Sequence, residues 1–73
     1  MTSDRDDAIA RVAGVLYFHG TRGGKAAARS WGTTIVDRAS TRADIASFLR
    51  HAGAPIRAIP AMTDRVAGIL GIA

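Results

Sequence analysis

Apolar residues recur at helical spacing through most of the chain. Ile9, Val12, Ala13 and Leu16 share one helical stripe, and Asp7 and Arg11 stand four apart on its outer side. Ser3 precedes them with Asp4, Asp6 and Asp7, a hydroxyl cap followed by carboxylates over the positive end of the helix dipole. These positions predict a first helix from about Asp4 to His19, ended by Gly20. Val15-Leu16-Tyr17-Phe18 would also suit a strand, but the amphipathic lead-in favours helix.

The second element carries two signals. Ala28, Trp31, Ile35 and Ala39 fit one helical stripe, whereas Thr33-Thr34-Ile35-Val36 are β-branched and follow Gly32, which favours a strand. No neighbouring segment alternates cleanly enough to pair with such a strand, so a helix from about Lys25 to Arg38 is preferred. Ser40 is expected to cap a third helix with Asp44 in its first turn; Ile45, Phe48, Leu49 and Ala52 form its buried stripe, and Gly53 stops it. Ala54 to Pro60 reads as a connector bounded by prolines, extended or a single short turn. Thr63 and Asp64 are expected to open a fourth helix with Val66, Ile69 and Leu70 inside, ended by Gly71. The expected fold class is all-α, a small compact bundle of about four short helices forming one domain over residues 1–73. The alternative is α+β, with a short strand near residues 33–37.

Size sharpens this picture. Seventy-three residues lie near the lower limit for an unaided core, and no cysteine is present to supply a disulfide or a cysteine–metal staple. Much of the apolar content is Ala, which buries little area, so association with a partner or a second copy is expected. Tyr17, Phe18, Trp31 and Phe48 are expected mostly in that thin core. The start of the chain is acidic where a secretory signal would be basic, and the longest apolar run, Val12 to Phe18, is far shorter than the ~20 residues of a spanning helix. A soluble, cytoplasmic protein without a membrane span is expected.

Charge points toward function. The chain has no Glu, Gln or Asn, and its cations are nine Arg and one Lys, for a net charge of +4. A GC-rich genome would produce such a bias, yet the physical consequence is the same. Arg keeps its charge and presents a planar fork of donors that fits phosphate or carboxylate. No acidic residue lies between Asp7 and Asp37, a stretch that holds Arg11, Arg22, Lys25 and Arg29. At its centre Gly20-Thr21-Arg22-Gly23-Gly24-Lys25 runs into Ala26-Ala27-Ala28, a flexible basic loop at a helix start and hence suited to an anion. The plain reading is an inter-helix linker with solvated charges.

Sharper motifs fail on their residues. A P-loop counted back from Gly24-Lys25 needs Gly where His19 stands and Ser or Thr where Ala26 stands. His19-Gly20 and the Ser30 elbow Ala28-Arg29-Ser30-Trp31-Gly32 lie too close together for a hydrolase fold, and no downstream carboxylate is clearly placed to complete a triad with His51. Two isolated histidines do not make a metal site, and the aspartates are explained as helix-start residues. Val66-Ala67-Gly68-Ile69-Leu70-Gly71-Ile72 resembles the first half of a helix-turn-helix, but no recognition helix follows; a helix with a glycine C-cap explains the same residues. No catalytic group, metal or cofactor is expected.

The leading expectation is a non-enzymatic binding protein that contacts nucleic-acid phosphates. Arg38 and Arg42 straddle the second junction, Arg42 and Arg50 share a helical face, and few carboxylates sit close enough in sequence to neutralise them. The candidate contact set is Arg22, Gly23, Gly24, Lys25, Arg29, Arg38, Arg42 and Arg50. An acidic protein would suit the same face. The competing expectation is a helical interaction or structural subunit of an assembly or homo-oligomer, with Ile56, Ile59, Met62, Ile69, Leu70 and Ile72 either folded back on the core or covering another chain. A membrane-active cationic peptide shares the size and charge, but the Asp caps and moderate hydrophobicity argue against it.

Overall fold

The structure, a computed structural model, describes residues 3–73. Four α-helices follow one another: α1 (Asp4–His19), α2 (Gly24–Arg38), α3 (Arg42–His51) and α4 (Ile59–Leu70), with one 3-10 turn at Ile56–Ala58 before the last. No strand forms among the described residues, so the chain is all-α.

The first helix starts as its residues dictate. Ser3 is extended and its Oγ accepts the Asp6 N–H at 3.1 Å, with Asp4, Asp6 and Asp7 in the first turn. At the other end Gly20 takes the left-handed conformation and its N–H returns to the carbonyls of the last turn.

The β-branched run stays helical in α2 for two reasons. Thr33 and Thr34 donate their hydroxyls to the carbonyls of Arg29 and Ser30 at 3.0 and 3.2 Å, which settles their polar groups inside a helix. Gly32, just before that run, is the point where α2 presses on α1. A Cβ there would lie 3.1 Å from the Ile9 carbonyl oxygen and 3.2 Å from the Ala13 amide nitrogen. The two helices form an antiparallel pair, tied at its far end by Arg5 and Asp37.

Two helix starts differ from expectation. Thr41, not Ser40, caps α3: its hydroxyl accepts the Asp44 N–H at 3.1 Å while the Asp44 carboxylate accepts the N–H groups of Ser40 and Thr41 at 2.9 and 3.2 Å. This reciprocal capping box outweighs a lone serine one residue earlier. Helix α4 begins at Ile59 rather than at Thr63, because Pro60 needs no N–H partner in a first turn and its fixed φ is already helical. Thr63 is instead an interior residue whose buried hydroxyl has no hydrogen-bond partner.

The core gathers Val12, Leu16, Ile35, Ile45, Leu49, Met62 and Val66, all fully buried and drawn from all four helices. The early start of α4 turns Ile59 and Met62 into this core and leaves Ile69 and Leu70 half-buried at its edge. Trp31 and Phe48 are also half-buried, their ring centres 6.5 Å apart. After α4, Gly71 forms a left-handed cap and Ile72 returns its N–H to Ala67 at 2.9 Å, the glycine-capped end that competed with the helix-turn-helix resemblance.

Candidate functional site

The six carboxylates decide which cations are left over. Asp4, Asp6 and Asp7 occupy the first turn of α1, and Asp44 closes the capping box of α3. Asp37 receives two bonds from the Arg5 guanidinium, at 2.8 and 2.7 Å, and Asp64 pairs with Arg42. The Arg5 hydrogen bond holds the Asp37 carboxyl below the usual carboxylate range, and the Ser40 and Thr41 N–H groups do the same for Asp44. Two of the ten cations thus have a carboxylate partner among the described residues, and the other eight do not. Arg42, expected on the free arginine row, is one of the two. Its partner is distant in sequence, where spacing along one helix gives no sign of it.

The glycine loop is tied to the fold through Thr21 and Arg22. Thr21 is turned inward, its N–H and hydroxyl both directed at the Leu16 carbonyl at 3.3 Å. Arg22 donates its N–H to the Ala52 carbonyl at 3.3 Å, and its aliphatic stem lies on Gly53. That places it at the carboxy end of α3, whose last turn holds Arg50, so two cations stand near the negative end of that helix dipole. Gly23 caps α2 in the left-handed conformation without a side-chain bond, and a Cβ there would strike the Ala27 Cβ at 2.6 Å. With no acidic residue in that first turn, the opening N–H groups of α2 lack a side-chain cap, and Lys25 stands beside them.

The expected contact residues do not form one continuous row. Lys25 and Arg29 share the wall of an open groove of about 430 Å³ between α1 and α2, floored by Ala10, Ala13 and Gly14 and flanked by Tyr17. Arg38 stands at the far end of α2, about 20 Å from Lys25 along the axis.

Residues outside that set also line grooves with cations. Tyr17 and Phe18, expected in the core, are 54% and 80% exposed. Phe18 borders a second groove of about 680 Å³ between α1 and α4, together with Arg11, His19 and Arg65. Its ring meets the His19 ring edge-on, centres 5.2 Å apart. Helical spacing could have exposed the error, since both aromatics fall off the Ile9–Val12–Leu16 stripe while Phe18 sits seven residues after Arg11. Only packing of α4 on α1 brings Arg65 to the same place.

The candidate interface at the carboxy end is largely spent on the fold itself. Ile59 and Met62 are core residues, which is the folded-back alternative and removes them from a contact surface. Ile69, Leu70 and Ile72 are half-buried against that core, and Ile56 alone of the set stands out, 81% exposed.

No helix among the described residues is long and apolar enough to cross a membrane, and no group of three or more potential metal ligands occurs among them. No known protein family, curated protein or solved structure matches the chain.

Proposed function

We propose that this is a non-enzymatic protein that binds nucleic acid through its phosphates. The observation that carries this reading is the surplus of eight cations without a carboxylate partner, seven of them arginines suited to phosphate. From the contact set, Arg22, Lys25, Arg29, Arg38 and Arg50 belong to that surplus. The Gly23-Gly24 start of α2 adds N–H groups and a positive dipole end beside Lys25. Arg42 carries less of the reading, because an exposed pair with Asp64 competes with phosphate for it. Such contacts bind by displacing counterions and read little sequence. A cytoplasmic location, where nucleic acid is at hand, belongs to the same reading.

A salt titration tests it. About five phosphate contacts predict a log–log slope of about −4.5 on duplex DNA. No affinity at low salt, or an affinity indifferent to salt, rejects it.

A second reading, a helical subunit of a larger assembly or homo-oligomer, is favoured by Ile56 and Phe18, two large apolar side chains that face solvent. Sedimentation separates the two. A monomer at all concentrations argues against self-association, and a discrete dimer lost on Ile56→Asp supports it.

A further inference from the structure

Helix α1 divides two grooves that meet at one residue. Gly14 lines both. On one side stand Tyr17, Lys25 and Arg29, and on the other Phe18, Arg11 and Arg65. Each groove therefore joins one exposed aromatic ring to two cations with no ion-pair partner among the described residues, and neither groove is lined by a carboxylate. Successive residues of a helix turn by about 100°, so Tyr17 and Phe18 splay to opposite sides of the outer face. Gly14 lies one turn below, between them. A Cβ added to Gly14 would meet nothing within 4 Å, so the ridge between the grooves is a low, open saddle.

We infer that a single strand of nucleic acid crosses α1 over Gly14, stacking bases on Tyr17 and Phe18 and setting phosphates against Lys25 and Arg29 on one side and Arg11 and Arg65 on the other. This rests on the phosphate-binding reading and adds to it the strandedness of the ligand and the residues that choose it. Aromatic faces flanked by cations match the two parts of an unpaired nucleotide, a flat base and a charged phosphate. A duplex offers only the phosphates, because its base faces are already stacked. The chain has four aromatic residues and a thin core, yet it keeps two of them at the surface on adjacent positions. The edge-on His19 ring braces the Phe18 ring and so limits the freedom lost on stacking.

The test uses the full chain with dye-labelled oligothymidylate and oligouridylate of about a dozen nucleotides, and a mixed-sequence duplex of equal length, at low salt. Both single strands are expected to bind more tightly than the duplex. Phe18→Ala should weaken single-strand binding about ten-fold and duplex binding less than about two-fold. Tyr17→Ala should act in the same direction, and Phe18→Trp should retain affinity. Arg65→Ala should lower the single-strand salt slope by about 0.7. Because both rings are exposed, the variants should melt as the parent does, and amide shifts of Gly14, Phe18 and Gly68 in the unaltered protein supply a readout independent of mutation. Equal affinity for single strand and duplex overturns the inference while leaving the phosphate reading in place. So does an unchanged single-strand affinity in Phe18→Ala, shifts confined to other residues, or tighter Phe18-dependent binding of polyaspartate. Absence of binding to any of the three nucleic acids overturns both readings.

Discussion

The two ends of α1 are capped equally well and treat solvent in opposite ways. At the amino end Ser3 caps the helix, three aspartates sit over its dipole, and Arg5 forms a two-pronged pair with Asp37. At the carboxy end Gly20 closes the helix and Thr21 turns inward, yet Tyr17 and Phe18 lie open beside cations without partners. One end has its polar groups answered by its own chain. The other presents rings and charges that its own chain does not answer. Structural need accounts for the first set of residues and leaves the second without a role in the fold, which is where a contact to another molecule is best sought.

The largest break in this contrast should come from neighbours two residues apart. Leu16→Ala should cost about 3 kcal/mol, because a fully buried side chain leaves a cavity in a small core. Phe18→Ala should stay within about 0.5 kcal/mol. Urea denaturation measures both, and comparable losses would mean that Phe18 is part of the fold after all. At the amino end, Ser3→Ala should cost about 1 kcal/mol by removing the acceptor for the Asp6 N–H, visible as a lower denaturation midpoint. Gly14→Ala should stabilise by about 0.5–1 kcal/mol, since a mid-helix glycine loses more chain entropy on folding and the new methyl meets no neighbour. A destabilised Gly14→Ala would show that the saddle is packed rather than open.

The smallest effect is linked to acid. Folded Asp37 holds its proton less readily than unfolded Asp37, because the Arg5 guanidinium donates to its carboxylate. Its contribution is therefore present above the usual carboxylate range and is lost as pH falls through the lower folded value. Arg5→Ala should flatten the fall in stability between about pH 5 and pH 2, while Asp44 keeps its own share through the capping box. Identical acid slopes in parent and variant would show that the pair does nothing for the fold.

Local signals served best where the partner of a group lies within four residues. The bounds of α1 follow from Ser3, its three aspartates and Gly20, and all of these act through contacts inside one turn. The cap of α3 lies one residue beyond Ser40 because Asp44 reaches two N–H groups at once, and α4 starts one turn before Thr63 because Pro60 fits a first helical turn. The site was legible as a charge surplus and little more. Arg42 stands paired with Asp64 and Arg65 stands beside Arg11, in both cases through packing between helices distant in sequence.

By itself, then, the sequence determined the helical class, the caps of α1 and the excess of arginine, all of which are set by composition and by contacts along one stretch of chain. The tertiary structure decided which cations remain without a carboxylate, that α2 crosses α1 at Gly32, and that Tyr17 and Phe18 stand outside. Those outcomes depend on which helix face meets which, and a small core has room for only some of the apolar side chains that local pattern offers to it.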